Sequence, residues 1–273
     1  MYLYRKTLKI PNGKRLYLIP LGDIQDEGEL DRLDDLVKWS LDHEKRGDLV
    51  RLFGTGDYFE TFSPSERVKK AAANFHETTL ESIDRGIKAQ ADDYIRRLKP
   101  MRGKIFFKLQ GHHWDNVKVG NGMMSSDQYI AESLNAEFAG DGTVHMELLV
   151  NGFPFKSFGM HGYGSARTGG AKLNKRLRLR EVVPDANWYW MGHDNSKIID
   201  TQEPLVVRNG KQEYLKQYIS GVGCLQRAYF ENKLQTGYAE RLALAPASIG
   251  FVVCMINVEE RKGERRLNYH VSA

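Results

Sequence analysis

Residues 49–57 read LVRLFGTGD, a short apolar run that ends in glycines and an aspartate. Two similar runs lie on either side of it. Leu16–Leu21 is followed by Gly22-Asp23, and Ile105–Leu109 is followed by Gly111-His112-His113. Short apolar runs that end in glycine are typical of buried strands, so the sequence predicts three strands with polar residues at their carboxyl ends.

Apolar residues at helical spacing separate these three runs. The first helix is predicted around Leu30–Leu41. The second is predicted as one long helix over Ser63–Leu98, because Ser63, Pro64 and Glu66 form an N-terminal capping pattern. Alternation of strands with helices indicates an α/β fold for this half of the chain.

The second half is rich in predicted strands, after a weaker helix over Ser126–Phe138. Val144–Val150 and Phe153–Phe158 flank Asn151-Gly152, the residue pair that a type I′ hairpin turn prefers. Three further stretches follow the same logic: Leu205–Leu215 around Asn209-Gly210, Ile249–Val258, and Arg266–Val271 after a turn with Lys262-Gly263. These strands predict a second sheet in a single domain over residues 1–273.

Composition and charge exclude several classes of protein. Lys+Arg exceed Asp+Glu by 40 to 35, a net charge of +5 that permits a polyanionic partner without requiring one. No apolar run approaches the roughly 18 residues of a membrane span, and the N-terminus lacks the apolar core of a signal peptide. The two cysteines, Cys224 and Cys254, are too few for a disulfide framework. A cytoplasmic protein with reduced thiols and no membrane partner is expected.

Acidic and histidine side chains recur at the ends of predicted strands. They are Asp23, Asp57, His112, His113, His161 and His193. Ligands of open α/β sheets gather at the carboxyl ends of strands, so these side chains are expected to converge. Because carboxylates and neutral imidazoles bind zinc, manganese and iron, a metal site is predicted there.

Five short blocks occur in order at these positions. They are Gly22-Asp23-Ile24-Gln25, Gly56-Asp57-Tyr58-Phe59-Glu60, Gly111-His112-His113-Trp114, His161-Gly162 and Gly192-His193-Asp194-Asn195. The ordered set resembles the calcineurin-like metallophosphoesterase family, whose blocks are D-x-H, G-D-x-x-D, G-N-H-[DE], a lone His and G-H-x-H. The resemblance spans residues 22–195 and implies two divalent ions, manganese, zinc or iron, with magnesium also suited to an oxygen-rich site.

The sequence departs from the family pattern at three positions. Gln25 and Asn195 stand where the family has histidines, and His112 stands where it has asparagine. The resemblance implies one oxygen-rich site of Asp23, Gln25, Asp57 and Asn195, and one histidine-rich site of Asp57, His112, His161 and His193. Asp57 would then bridge the two ions. Oxygen ligands suit harder ions and hold them less tightly, so we expect one tight and one weak, exchangeable site.

His113 matches the family's catalytic histidine, which protonates the leaving oxygen. The family's orienting carboxylate would fall at Trp114, and Asp115 is the candidate substitute one residue later. Glu60 is not a family metal ligand, and it is expected to support its loop by hydrogen bonding.

The resemblance implies an α/β fold, a four-layer αββα sandwich of two mixed β-sheets flanked by helices. It also implies a metal-dependent phosphoesterase, which hydrolyses a phosphodiester or phosphomonoester substrate by a metal-activated water. Two alternatives are a nuclease that acts on DNA or RNA and a binding scaffold with a weakened metal site. Loss of two histidines, at Gln25 and Asn195, favours the scaffold. The retained aspartates and histidines, and the oxygen that Gln and Asn still offer, favour the enzyme.

A basic stretch lies between the fourth and fifth blocks. Its members are Lys172, Lys175, Arg176, Arg178 and Arg180. The simpler interpretation is a solvated helix face. The alternative is a patch that steers phosphate groups towards the metal ions, which would suit a nucleic-acid substrate.

Overall fold

A computed structural model describes residues 1–24, 30–208, 210–227, 229, 231, 240, 243, 245–246, 248–261 and 263–273. Three residues named above lie outside this part of the chain: the predicted metal ligand Gln25 and the predicted turn residues Asn209 and Lys262.

The described helices are α1 Leu30–Lys45, α2 Pro64–Ala72, α3 Glu77–Leu98, α4 Ser126–Ser133, α5 Gly169–Leu177 and α6 Leu179–Val182, with a short 3-10 helix at Lys99–Met101. The described strands are β1 Tyr2–Leu8, β2 Leu16–Gly22, β3 Leu49–Gly56, β4 Ile105–Lys108, β5 Asn116–Val119, β6 Gly122–Ser125, β7 Glu137–Phe138, β8 Thr143–Val150, β9 Phe153–Met160, β10 Trp188–Met191, β11 Ile199–Gln202, β12 Leu205–Arg208, β13 Lys211–Tyr214, β14 Gln217–Gly221, β15 Gly223–Cys224, β16 Gly250–Phe251, β17 Val253–Arg261 and β18 Glu264–Ser272. None of the described helices combines the length and apolar character needed to cross a membrane.

The longer strands form two six-stranded mixed sheets. The first has the order β18-β17-β2-β3-β4-β7, in which β2, β3, β4 and β7 are parallel and the β17–β18 hairpin is antiparallel. The second has the order β1-β8-β9-β10-β14-β11, in which β9, β10 and β14 are parallel. The predicted β8–β9 hairpin is confirmed, with φ of 49° at Asn151 and 90° at Gly152, as a type I′ turn requires.

Alternate residues of one strand face different layers of the molecule, because side chains alternate across a strand. In β2, Leu18 lies in the core between the two sheets, whereas Ile19 packs beneath α1 and α3. In β10, Trp190 faces the same central core, whereas Tyr189 packs beneath α5 and α6. The order of layers is therefore helix, sheet, sheet, helix, and the predicted fold class is confirmed.

The long helix predicted over Ser63–Leu98 is wrong, because the chain forms two helices there. The predicted N-terminal cap is correct, since Ser63 and Glu66 form a capping box at the start of α2. The chain then leaves the helical region, and His76 caps a new helix by accepting a hydrogen bond from the Thr78 amide. The predicted apolar face also fails in α2, where no side chain is buried and Val68 is 69% exposed.

The helix predicted over Ser126–Phe138 is too long. It ends at Ser133, and Glu137–Phe138 instead form β7, which pairs with β4 at the edge of the first sheet. Pairing with an existing strand outweighs the weak helical periodicity of these last residues.

Candidate metal centre

Polar side chains from five strand ends meet at one end of the sandwich. Asp23, Asp57 and His112 follow β2, β3 and β4, while His161 and His193 follow β9 and β10. The ligand atoms of His112, His161 and His193 all lie within 4.8 Å of one another, and those of Asp23, Asp57 and His161 do so too. The convergence expected from the sequence is therefore present in the structure.

The aspartates tie the loops of this cluster together. The Asp57 Oδ1 atom accepts hydrogen bonds from the backbone amides of His112, at 2.6 Å, and His113, at 2.9 Å. The Asp23 carboxylate accepts from the His193 amide at 2.8 Å. Asp23, Asp57 and His193 have φ of 52°, 54° and 69°, a region that costs about 1–3 kcal/mol for residues other than glycine. Strain concentrated in these loops is typical of a functional site.

Glycine is required where two of the loops touch. A Cβ atom on Gly111 would lie 2.0 Å from Asp57 Oδ1. Gly56 has φ of 99°, and a Cβ atom there would lie 2.6 Å from the Gly111 Cα. Close approach of these two backbones is what brings the amides of the His112 loop onto the Asp57 carboxylate.

The three histidine rings form a compact group. The His112 ring centroid lies 4.7 Å from those of His161 and His193, and the latter two centroids are 5.3 Å apart. The His161 Nδ1 atom lies 2.8 Å from the Thr55 carbonyl oxygen, so the ring is held with Nε2 towards the aspartates. This arrangement makes Nε2 the nitrogen that can give up its proton to bind a cation, since Nδ1 donates to Thr55.

Several buried polar atoms on the strand-end loops have no hydrogen-bond partner among the described residues, His161 Nε2 and Asn195 Oδ1 among them. The His161 Nε2 atom lies 3.2 Å from Asp57 Oδ2, but without the geometry of a hydrogen bond. The Asn195 Oδ1 atom is also unpartnered, while its amide nitrogen donates to Gln226 at 2.7 Å. Buried polar atoms are ordinarily satisfied, so a buried imidazole nitrogen without a hydrogen bond beside two carboxylates fits a divalent cation.

Burial and mutual contact perturb the acidic groups in the absence of a cation. Burial raises the pKa of Asp23 to about 8, and the nearby Asp57 carboxylate adds to that effect. Burial also acts on Asp57, but its contact with His161 outweighs it and holds its pKa well below the usual range. Burial opposes protonation of His161, yet the Asp57 carboxylate raises its pKa to about 9. The metal-free cluster therefore retains protons that a dication would displace.

The other two histidines behave differently. Burial, together with the neighbouring His161 and His193 rings, lowers the pKa of His112 to about 4. Burial likewise lowers the pKa of His193, with His161 as the next cause. A lowered pKa favours the neutral imidazole in both residues, which is the form that coordinates metal ions.

His113 lies beside the cluster and contacts Glu60 rather than the residue predicted to orient it. Its Nδ1 atom is 3.0 Å from Glu60 Oε1 and 3.2 Å from the Thr61 carbonyl oxygen. Burial opposes protonation of the ring, but Glu60 and Asp57 raise its pKa to about 9. The protonated ring can serve as a proton donor at neutral pH.

The structure corrects the expectation for Asp115. Its carboxylate is buried and lies 2.6 Å from the Lys70 Nζ atom, and it also accepts from the Asn116 amide at 2.7 Å. The Asp115 side chain therefore faces α2 and not His113. The carboxylate found against His113 is that of Glu60, three residues after Asp57.

The basic stretch is also corrected, because Arg176 is fully buried rather than part of a solvated face. Its guanidinium donates to the Asp194 carboxylate and to the Ser196 hydroxyl. The Lys172 Nζ atom donates to the Asp194 carbonyl oxygen at 2.6 Å. Arg176 shares the helix face of Leu173 and Leu177, a spacing that signals an inward side chain. These two basic residues brace the loop that carries His193.

The division of ligands between two sites differs in one respect from that implied by the sequence. His161 belongs to both groups of converging ligand atoms, whereas the resemblance assigned the shared role to Asp57. The bridging role of Asp57 and the oxygen-rich site, which includes Gln25, therefore stay predictions.

Comparison with protein-family models and with curated proteins finds no match. Among solved structures, a double mutant of Vps29 from Entamoeba histolytica is similar, with 10% identity and a TM-score of 0.29 over 95% of this chain and 99% of that one. Vacuolar protein sorting 29 from Cryptosporidium parvum has 12% identity and a TM-score of 0.31, over 95% of this chain and 98% of that one.

Proposed function

We propose that this chain is a metal-dependent phosphoesterase that hydrolyses a phosphodiester or phosphomonoester. The proposal rests on the sequence resemblance to calcineurin-like metallophosphoesterases together with the converging side chains. The observation that carries it is the joint cluster of His112, His161 and His193 with Asp23 and Asp57, in which the buried His161 Nε2 atom lies 3.2 Å from Asp57 Oδ2. Such a set of imidazoles and carboxylates suits zinc, manganese or iron.

The residues that would hold cations are His112, His161, His193, Asp23 and Asp57, with Asn195 and Gln25 as further proposed ligands. Two bound divalent ions supply a water of lowered pKa and offset negative charge on phosphoryl oxygens. The protein fixes the ligands beforehand, because the aspartates anchor the backbones of the histidine loops.

His113 is the proposed general acid. Its ring lies beside the cluster, held at Nδ1 by Glu60 and the Thr61 carbonyl, so Nε2 is the nitrogen that would face the leaving oxygen. Glu60 keeps the ring protonated and oriented. Donation of this proton neutralises the leaving oxygen as its bond to phosphorus breaks, an effect worth about 10²–10⁴-fold in rate.

Hydrolysis of bis-p-nitrophenyl phosphate and p-nitrophenyl phosphate tests the proposal. Metal-stripped protein is expected to be inactive and to regain turnover with manganese, with one of the two esters preferred. His113→Ala is expected to lower that turnover about 10²-fold, near the bottom of the range because p-nitrophenolate is already a stable anion.

A matched control is His76→Asn, which removes an exposed histidine outside the cluster and leaves a residue able to cap α3. It is expected to keep wild-type turnover. Folded wild-type protein that hydrolyses neither ester with manganese, zinc or iron would contradict the enzyme and favour the binding scaffold.

A further inference from the structure

Helix α2 is attached to the protein by polar contacts and not by an apolar face. No side chain of α2 is buried. Its Lys70 lies 2.6 Å from the Asp115 carboxylate, and its Arg67 contacts the loops around His113. A helix with no apolar face in the core has a role other than filling that core.

Arg67 joins the two loops that carry Glu60 and His113. Its Nη1 atom lies 2.6 Å from the carbonyl oxygen of Phe62, 2.7 Å from that of His112 and 3.0 Å from that of Trp114. Phe62 follows Glu60 by two residues, and His112 and Trp114 are the immediate neighbours of His113. One cation therefore holds the carbonyl groups of the residues before and after His113 against the Glu60 loop.

The same guanidinium also packs on an aromatic ring of this loop. The Arg67 Cζ atom lies 4.3 Å from the centroid of the Trp114 ring, a cation–π contact. A planar guanidinium can stack and donate at once, whereas a lysine ammonium is a compact point charge on a flexible stem. Arginine is thus specifically suited to this position.

The position of the His113 ring depends on these peptide groups. Its backbone amide donates to Asp57 at 2.9 Å, and its Nδ1 atom lies 3.0 Å from Glu60. The His113 amide and the His112 carbonyl belong to one planar peptide group, so Asp57 and Arg67 hold that group from opposite edges. Arg67 alone of these partners also binds the Trp114 carbonyl, on the other side of His113. Displacement of about 1 Å is enough to cost a catalytic group much of its effect.

We propose that Arg67 is a positioning residue for His113, and that α2 acts as a clamp which holds the Glu60 and His113 loops in register. This inference rests on the proposed function of His113 as the general acid. It predicts that loss of Arg67 impairs the proton transfer specifically and leaves substrate binding largely intact.

The test compares esters that differ in their need for a proton. Phenolate is a stronger base than p-nitrophenolate, so phenyl esters depend more on a general acid. The phenyl ester and the p-nitrophenyl ester are compared as two monoesters or two diesters, according to which class the wild-type protein hydrolyses. Both kcat and KM are measured for each ester. Arg67→Gln is expected to lower kcat for the phenyl ester about tenfold or more, to lower it less for the p-nitrophenyl ester, and to change KM less than about twofold.

Two further variants sharpen the kinetic result. Arg67→Lys keeps a cation on α2, so it is expected to lower kcat less than Arg67→Gln does. The phenyl ester is again expected to be affected more than the p-nitrophenyl ester. This variant keeps the test valid if Arg67→Gln fails to fold. Lys69→Gln removes an exposed cation from the same helix and is expected to behave as wild type. In a His113→Ala background, Arg67→Gln is expected to add no further discrimination between the two esters. Equal losses for both esters, or additive effects with His113→Ala, would overturn the proposal.

Amide hydrogen exchange separates failure of this inference from failure of the proposed function. In metal-free protein, Arg67→Gln is expected to speed exchange at least tenfold in peptides that cover residues 57–62 and 111–116, while Lys69→Gln leaves it unchanged. If wild-type protein hydrolyses no ester, the proposed general-acid role of His113 is contradicted. If Arg67→Gln leaves amide exchange in these peptides unchanged, the proposed clamp is contradicted, whatever the hydrolysis result.

Discussion

Asp57→Asn is expected to lower kcat/KM for the preferred ester by about 10³-fold, measured at saturating manganese. Asparagine keeps one oxygen at this position but removes the negative charge from between His161 and the amides of His112 and His113. Stabilisation by bound cations amounts to several kcal/mol, and each 1.4 kcal/mol corresponds to a factor of about ten.

Asp35→Asn is the control, because it makes the same chemical change at an exposed position of α1. Its turnover should match that of wild type. An Asp57→Asn protein that retains more than a tenth of wild-type turnover would show that this carboxylate is not at the centre of the chemistry.

Trp190→Ala is expected to lower the free energy of unfolding by about 3–5 kcal/mol. The Trp190 ring is fully buried in the second sheet, 5.0 Å from the Phe53 ring and 6.3 Å from the Phe107 ring of the first sheet. Its indole nitrogen also donates to the Ser157 hydroxyl at 3.3 Å. Truncation would leave a cavity between the sheets and an unpaired hydroxyl.

Urea denaturation of metal-free protein measures this effect, with Trp39→Ala as the control. Trp39 is 36% exposed and packs on Tyr17 and His43 at the surface of α1, so its loss should cost about 1 kcal/mol. Similar losses for the two variants would contradict a sandwich whose sheets meet at Trp190.

The convergence of the strand-end aspartates and histidines is predicted from the sequence because their positions follow from simple periodicity. An apolar run that ends in glycine locates a strand end, and parallel neighbours such as β2 and β3 necessarily bring Asp23 and Asp57 to one edge of a sheet. The hairpin at Asn151-Gly152 is equally local, because the turn requires two residues that tolerate positive φ.

Features that depend on contacts distant in sequence are not predicted. Strand β1 pairs in parallel with β8, 142 residues away, and nothing in Tyr2–Leu8 alone indicates that partner. The Arg176 side chain is buried by its pairing with Asp194, which outweighs the usual solvation of a basic run. The sequence offers Asp115 as the orienting carboxylate of His113 and does not predict the contact with Glu60, because sequence proximity does not give the direction of a side chain in a loop.

The break between α2 and α3 has a similar cause. Apolar residues recur at helical spacing through Ser63–Leu98, but Val68 is exposed and no side chain of α2 packs in the core to stabilise one continuous helix. Capping by His76 then favours a new start, and Arg67 fixes α2 over the His113 loop. Tertiary contacts have overridden local propensity at this point.

The central claim is that these strand-end loops form a two-metal centre. Isothermal titration calorimetry of metal-stripped protein with manganese and with zinc tests it. Two classes of site are expected, a tight one that His193→Ala removes and a weaker one that Asn195→Ala removes. Binding that fails altogether, a single site, or two sites of equal affinity would contradict the account.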